Sequence, residues 1–139
     1  MENALKQQDR LGLTNLHFLF CNVTPSLSPL LGSLPSGVLD QVTIQFPDPW
    51  FKKRHQKRRV VQPQLVEAIA AHLAPGGLVF LQSDVESVVC EMGQRFEQHH
   101  SFIALAGWAD NPFPVLTERE AMTLGRGDAV YRLRFHKQP

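Results

Sequence analysis

The stretch from Gln41 to Arg59, QVTIQFPDPWFKKRHQKRR, constrains the fold more than any other part of the chain. It begins with β-branched and aromatic residues, which predict a strand. Pro47 ends this strand, and Pro47 and Pro49 together bracket Asp48 and restrict the backbone on both sides of it. Open α/β sheets bind ligands beyond the carboxyl ends of their strands. The pattern therefore predicts that Asp48 lies at a functional site.

Positive charge is concentrated at the end of this stretch. Six of the chain's 14 Lys and Arg residues lie in Lys52–Arg59, which leaves eight basic and 13 acidic residues elsewhere. The formal net charge of +1 therefore combines a local charge of +6 with −5 over the remainder. Such focused charge favours a polyanion site, where binding would release counterions condensed on phosphates. A solvated, charged loop without a ligand is the alternative.

The bulk properties are those of a soluble globular domain. With 139 residues and 43% hydrophobic residues, the chain can bury one core. No apolar stretch has the length of a membrane span and the N-terminus has no apolar signal core, so we expect a cytoplasmic protein without membrane contact. The two cysteines and six histidines lack metal-site spacing, so we expect no metal.

Alternating strand and helix patterns predict an α/β fold with a largely parallel sheet. The last two strands follow one another without a clear helix, which predicts one antiparallel edge pairing. Helices are predicted over 1–11, from Pro63 to Ala74, and after a capping box at Ser83–Glu86, with single helical turns near Leu27–Leu31 and from Thr117. The predicted strands are Leu16–Phe20, Gln41–Phe46, Leu78–Leu81, Phe102–Leu105 and Ala129–His136.

Asp48 and Trp50 suggest recognition of a planar base. A fixed carboxylate accepts hydrogen bonds from N–H groups such as those of guanine, and an indole offers a stacking face. Lys52 follows closely and could contact a phosphate or ribose. Asp and Pro are also common in turns, so a purely structural role for Asp48 stays open.

Two further groups of residues have both a structural and a functional interpretation. Asp84 could stabilise a helix terminus, or it could lie beside Asp48 if their strands are adjacent and parallel. Thr117 could cap a helical turn. Alternatively, Thr117–Glu120 could place a hydroxyl and carboxylates over the mouth of the site.

The motifs FPDPWFKKRHQKRRVVQP, LAPGG, LQSD and PFPVLTERE occur in this order along the chain. With them, the chain closely resembles the bacterial tRNA (guanine-N7-)-methyltransferases, and cyanobacterial members most of all. The resemblance extends from about Leu11 to Phe135, and the PDPW motif with its basic segment is highly specific. It implies a Rossmann-like class I methyltransferase fold, S-adenosylmethionine as methyl donor and tRNA as substrate, with a guanine of the variable loop as target.

The resemblance also implies roles for individual residues. Asp48 takes the catalytic and cofactor-facing position. Arg119 stands where the family often has an aromatic residue, which removes a stacking role at that position. The predicted substrate-binding residues are Lys52, Asp84, Thr117, Glu118, Arg119 and Glu120, together with Trp50, Arg54, Lys57 and Arg58 from the central stretch.

The chain departs from the family pattern because no strand is followed by a glycine-rich turn and a helix. We therefore expect 1–139 to form a single, incomplete methyltransferase domain that lacks its first strands, which would lie between Leu16–Phe20 and Gln41–Phe46. Asn22 is the remaining candidate for the adenine of the cofactor. The chain alone is expected to be an inactive portion of the enzyme, as a monomer or weak homodimer. A non-catalytic RNA-binding remnant and a methyltransferase of another base nitrogen are the alternatives.

Overall fold

A computed structural model of the chain describes residues 2–139. Five α-helices, one 3-10 helix and four strands follow one another along these residues. In chain order they are α1 Glu2–Leu11, α2 Val23–Gly32, β1 Gln41–Gln45, the 3-10 helix Lys53–Arg58, α3 Pro63–His72, β2 Leu78–Ser83, α4 Glu86–Glu97, β3 Phe102–Ala104, α5 Glu118–Gly125 and β4 Tyr131–Lys137.

The four strands form one sheet in the order β1-β2-β4-β3. β1 and β2 are parallel, whereas β4 is antiparallel to both β2 and β3. The predicted antiparallel pairing of the last two strands is therefore confirmed. Three strands run in one direction and β4 alone is reversed, but β4 lies inside the sheet. Most pairings are antiparallel as a result, so the prediction of largely parallel pairing is wrong for these residues.

One face of the sheet packs against α3 and α4 and forms the main hydrophobic core. Val79 and Leu81 of β2 point to this face, as do their register partners Phe135 and Leu133 of β4. α4 lies so close to β4 that a Cβ on Gly93 would stand 2.5 Å from a Leu133 methyl carbon. The unbroken apolar run in β2 is buried along almost its whole length, which confirms the prediction of a strand covered on both faces.

The opposite face of β2 is polar towards its carboxyl end. Phe80 packs edge-on against Phe113 from the loop before α5. Gln82 is completely buried and pairs in register with Gln45 of β1 and Arg132 of β4. Strand periodicity therefore places three polar side chains in one row across the sheet, beneath α5.

The segment Leu16–Phe20 does not form a strand, so this prediction is wrong in the structure. Every residue of the segment is exposed, and Phe20 is 88% exposed. A strand requires a neighbouring strand to satisfy its backbone N–H and C=O groups. Among residues 2–139 this segment has no such neighbour, and its apolar side chains consequently remain on the surface.

The predicted helices are present, with differences in the length of α2 and in the cap of α4. α1 ends before Gly12, whose φ of +63° is favoured by glycine, as expected. α2 is longer than the single predicted turn. α4 begins at Glu86 with Val85 as its cap residue, so the Ser83–Glu86 capping box is wrong, and Ser83 Oγ instead accepts a hydrogen bond from Val85 N. No helix within residues 2–139 has the length and apolarity needed to cross a bilayer.

Candidate functional site

Asp48 and Asp84 line one cleft at the carboxyl ends of β1 and β2. Because these strands are adjacent and parallel, the segments that follow them emerge at the same edge of the sheet. The cleft has a volume of about 620 Å³, and we call it the acidic cleft. Its other lining residues are Gln45, Phe46, Pro47, Pro49, Phe51, Val85, Thr117 and Arg119. The structure thus brings together the two acids that the sequence places 36 positions apart.

The backbone around Asp48 adopts an uncommon conformation. Phe46 has φ of +49° and Trp50 has φ of +43°, values that L residues other than glycine rarely adopt. Each such residue costs on the order of 1–3 kcal/mol and tends to occur at functional sites. The two prolines lie between these two residues. The loop is therefore a sharp, strained turn that projects an exposed Asp48 side chain from the end of β1.

α5 closes the acidic cleft on the side of Asp84. Thr117 caps α5, because its Oγ1 accepts a hydrogen bond from Glu120 N at 3.2 Å, which confirms the predicted capping role. Arg119 Nη2 lies 2.5 Å from Asp84 Oδ2, and the Arg119 side chain is 58% exposed. Glu118 is exposed beside it. Arg119 is therefore an ionic partner of Asp84, at the rim of the cleft.

Glu120 differs from the other residues of the predicted Thr117–Glu120 segment, because its side chain is completely buried. Arg132 Nη2 donates to Glu120 Oε1 at 2.7 Å, and Asn111 Nδ2 donates to both carboxylate oxygens at 3.0 Å. Gln82 Nε2 donates to Glu120 Oε2 at 3.2 Å and to Gln45 Oε1 at 2.6 Å. Both carboxylate oxygens of Glu120 thus accept from protein donors, and its predicted substrate contact stays a prediction.

The pKa of Glu120 reflects two opposing effects. Burial alone raises the pKa, because it disfavours the charged carboxylate. The hydrogen bonds from Arg132, Gln82 and Asn111, together with the positive charge of Arg132, outweigh burial and leave the pKa below its usual value. Glu120 is therefore ionised at neutral pH and fixes α5 to the polar row of the sheet.

Trp50 does not line the acidic cleft, although the sequence suggested a stacking role beside Asp48. Its ring instead lies 5.3 Å from the guanidinium carbon of Arg58 and edge-on to His55. Trp50 and Arg58 line a second cleft of about 570 Å³, the apolar cleft, between α2, α3 and the unpaired edge of β1. Asp48 lines both clefts, together with Gln45 and Pro47, so the two clefts meet at the end of β1.

The apolar cleft runs along the edge of β1, since it is lined by side chains from both faces of that strand. Val42 and Ile44 come from the core face, and Thr43 and Gln45 from the other. Asn22 caps α2 through its Oδ1, which accepts a hydrogen bond from Thr24 N at 3.3 Å. The side chain of Asn22 therefore has a structural partner, and its predicted contact with the adenine of the cofactor stays a prediction.

The cationic segment projects from the protein on the 3-10 helix. Five of its six basic side chains are exposed, namely Lys52, Lys53, Arg54, Lys57 and Arg58. Arg59 is the exception, with a side chain only 11% exposed and paired with Glu91. The segment is thus an exposed patch of like charge beside the Asp48 loop, as a phosphate-binding surface requires. Lys52 lines neither of the two clefts.

Phe51 is the residue at the acidic cleft that sequence reasoning missed. It is 70% exposed and lines the cleft with both acids. An exposed aromatic side chain directly after PDPW was a detectable signal, but Trp50 was the more obvious stacking candidate. Trp50, with its positive φ, and Phe51 line different clefts, and no sequence pattern indicates this arrangement.

Within residues 2–139, no group of three or more His, Cys, Asp or Glu side chains has the arrangement of a metal site. Of the two acids of the acidic cleft, Asp84 pairs with a cation of the protein, Arg119, which lines the same cleft as Asp48. Paired carboxylates beside a guanidinium and an exposed phenyl ring can bind a planar group that carries several N–H donors.

Comparisons with known proteins identify relatives over almost the whole chain. A family model described as "Putative methyltransferase" matches residues 1–133. A tRNA (guanine-N(7)-)-methyltransferase from Nostoc sp. is 58% identical over 133 residues, which are 94% of this chain and 61% of that protein. One from Synechococcus elongatus is 54% identical over 139 residues, 99% of this chain and 64% of its relative. The chain thus spans about three fifths of the length of these relatives.

Solved structures with little sequence similarity share the fold. An rRNA methylase from Streptococcus thermophilus superposes with a TM-score of 0.55 at 12% identity, covering all of this chain and 70% of the other. A SAM-dependent O-methyltransferase from Thermotoga maritima gives 0.54 at 12% identity, over 99% of this chain and 46% of the other. These similarities confirm the predicted Rossmann-like methyltransferase fold.

Proposed function

This chain belongs to the methyltransferase family whose model it matches, and we propose that its function is that of a tRNA (guanine-N7-)-methyltransferase. Such an enzyme transfers the methyl group of S-adenosylmethionine to N7 of a guanine in the tRNA variable loop. One observation carries the proposal. Asp48 lies where an acidic cleft, an apolar cleft and an exposed cationic patch meet. The names of relatives that are 50–58% identical support the same function.

The acidic cleft suits a guanine base. Guanine has N–H donors on its Watson–Crick edge, and the carboxylates of Asp48 and Asp84 are acceptors. Phe51, rather than Trp50, offers an exposed face for stacking in this cleft. Arg119 holds Asp84 through its ion pair and leaves part of its guanidinium exposed for the substrate. These four residues constitute our proposed base-binding site.

The reaction needs alignment more than acid–base chemistry. N7 of guanine has a free lone pair, so methylation removes no proton and no general base is required. What accelerates the reaction is the orientation of N7 towards the methyl group and stabilisation of the developing purine cation. A rigidly held carboxylate such as Asp48 supplies both, because it orients the base and balances the positive charge.

S-adenosylmethionine, when bound, supplies the electrophilic methyl group. The residues of the apolar cleft fit the methyl-bearing end of this cofactor, because Asp48 places a carboxylate beside apolar side chains and the Trp50 ring. Within residues 2–139, no glycine-rich turn connects a strand to a helix, so a backbone site for the cofactor's amino acid group is not found there. Asn22 remains our candidate on the adenine side.

The exposed cations are our proposed contacts to the tRNA backbone. Lys52, Arg54, Lys57 and Arg58 lie on one short segment beside Asp48 and have no carboxylate partner closer than 4.0 Å among the described residues. Their mutual repulsion decreases when phosphates bind, and each neutralised phosphate adds to the salt dependence of binding. We also propose a cytoplasmic monomer or weak homodimer, where tRNA is available.

We further propose that residues 1–139 are an incomplete domain. No strand within residues 2–139 pairs with the outer edge of β1, the apolar cleft runs along this edge, and the strand-like segment Leu16–Phe20 is exposed. Additional strands between that segment and β1 would pair the edge and cover these apolar surfaces. The greater length of the relatives supports this arrangement. On this proposal, 1–139 alone has no methyltransferase activity.

The experiment that tests the function is mass spectrometry of tRNA nucleosides. Cells that lack the intact gene should lose 7-methylguanosine from tRNA and regain it with the gene. Asp48→Asn should fail to restore it, whereas Asp40→Asn, an acid at the opposite end of β1, should restore it. Unchanged 7-methylguanosine in cells without the gene would refute the proposal, and another lost methylated base would favour methylation of a different nitrogen.

A second candidate function is a non-catalytic RNA-binding remnant of the enzyme. It is favoured by the exposed cationic patch together with the lack of a glycine-rich turn within residues 2–139. Calorimetric titration of the chain with S-adenosylmethionine, followed by tRNA, tests this candidate. Micromolar binding of S-adenosylmethionine by the 139 residues alone would refute the remnant and the proposal of an incomplete cofactor site.

A further inference from the structure

Arg59 ends the cationic segment but makes different contacts from its neighbours. Its side chain is 11% exposed, and its Nε donates a hydrogen bond to Pro49 O at 2.8 Å. Its Nη1 contacts the carboxylate of Glu91 on α4. Gln62 Nε2 in turn donates to Arg59 O at 3.0 Å. Arg59 therefore connects the Asp48 loop to α4.

The hydrogen bond to Pro49 O acts on the strained part of the loop. This carbonyl belongs to the peptide unit that precedes Trp50, and the orientation of that unit determines the φ of Trp50, which is +43°. A residue with positive φ persists only where surrounding contacts hold it. The two prolines fix their own φ angles and not those of Phe46 or Trp50. A tertiary contact at the Pro49 carbonyl is therefore needed to hold Trp50 at its positive φ.

α4 provides the fixed end of this connection. Met92 of α4 is buried in the hydrophobic core, and Glu91 is its neighbour. Pro47 and Asp48 line the same narrow crevice as Arg59, Glu91 and Met92. The loop is thus packed against α4 through Arg59.

We propose that Arg59 is a positioning residue, which holds Asp48 and Trp50 in place and binds no phosphate. The guanidinium is suited to this task because its nitrogens donate in two directions from a rigid plane. A lysine at this position keeps the charge but has one nitrogen, which cannot reproduce the bridge between Pro49 O and Glu91. The charge and the geometry of Arg59 can therefore be tested separately. The claim that Arg59 binds no tRNA phosphate rests on the proposed function, whereas the claim that it holds the loop in place does not.

The first experiment measures loop order by nitrogen-15 relaxation NMR. In the wild-type chain, the amides of Asp48, Trp50 and Phe51 should have order parameters of about 0.85, as in rigid backbone. Arg59→Lys should lower them to below about 0.6, while residues of β2 stay unchanged. Arg54→Lys is the matched control for loop order, since Arg54 is exposed, and should leave these order parameters unchanged. Unchanged order in Arg59→Lys would overturn the proposal.

A second variant guards against a folding defect in the first. Glu91→Gln removes the ionic partner and leaves Arg59 in place, so loop order should fall in the same direction by a smaller amount. If Arg59→Lys unfolds the chain, this variant decides the question. Full loop order in Glu91→Gln would then refute the bridge to α4.

The second experiment measures the salt dependence of tRNA binding. Lys57→Gln should lower the slope of log K against log salt by about 0.7–0.9, the value for one phosphate contact. Arg59→Gln should leave the slope unchanged. An equal fall in both variants would make Arg59 a phosphate ligand and refute the proposal. If the wild-type chain binds no tRNA, the proposed phosphate contacts of the cationic segment fail in this chain, and the NMR measurement still decides whether Arg59 positions the loop.

Discussion

Two neighbouring residues of α5 each form an ion pair, and one pair is buried whereas the other is exposed. Glu120 is completely buried and pairs with Arg132, within a row of amide side chains. Arg119 is largely exposed and pairs with Asp84 at the rim of the acidic cleft. One turn of one helix therefore carries a structural pair on its inner side and a pair available to ligands on its outer side. Surroundings, rather than residue type, separate the two.

Loss of the buried pair should have the largest effect. Glu120→Ala leaves the guanidinium of Arg132 without its carboxylate, and breaking a buried pair costs about 3–5 kcal/mol. We expect the free energy of unfolding, measured by urea titration, to fall by about this amount. Glu118→Ala, an exposed acid on the same helix, should change it by less than about 0.5 kcal/mol. Equal effects of the two variants would show that the buried pair stabilises the fold no more than an exposed acid of α5 does.

Acid should weaken the buried pair specifically. The pKa of Glu120 is lower in the folded chain than its ordinary value of 4.5. Its contribution to stability is therefore complete above the unfolded pKa and is lost as the pH falls through the folded value. In urea titrations between about pH 6 and 3, Glu120→Gln should show a smaller loss of stability on acidification than the wild type. Parallel pH profiles would contradict the lowered pKa.

The cap of α5 should have an intermediate effect. Thr117→Ala removes the hydroxyl that accepts a hydrogen bond from Glu120 N, and loss of a Thr cap costs about 1 kcal/mol. Thr117→Ser keeps the hydroxyl and should restore most of this stability. If Thr117→Ser does not restore this stability, the loss in Thr117→Ala comes from the threonine methyl group and not from the helix cap.

The exposed pair should contribute least to stability. Arg119→Ala should lower the free energy of unfolding by less than about 0.5 kcal/mol, as for exposed ion pairs in general. On the proposed function it should nevertheless weaken tRNA binding, measured by fluorescence anisotropy. Arg126→Ala, at the other end of α5, should change neither quantity. A stability loss in Arg119→Ala comparable to that of Glu120→Ala would show that the exposed pair stabilises the fold as much as the buried pair does.

Strand prediction succeeded where the sequence pattern and the available partners agreed. Leu78–Leu81 and Leu16–Phe20 are both short apolar runs. The first lies in β2 between β1 and β4, whereas the second is exposed coil. A local pattern indicates that a segment can form a strand, but hydrogen-bonding partners come from distant parts of the chain. For the same reason the sequence did not place β4 between β2 and β3.

At the candidate site, the sequence identified Asp48, Asp84, Arg119 and the cationic segment, because prolines, charges and strand ends are local signals. It did not separate Glu120 from Thr117–Arg119, nor Arg59 from the five exposed cations. Glu120 and Arg59 differ from their neighbours in being buried. Burial depends on which distant segment packs over each side chain.

The order of residues alone indicated most of the alternation of helices and strands, the acid beyond β1 and the concentration of positive charge, since all three are local features. Packing between distant segments decided that Trp50 and Phe51 face different clefts and that Arg59 connects the loop to α4. It also decided that Glu120 is enclosed by donors. These features depend on backbone angles and contacts between distant segments, which no local pattern contains.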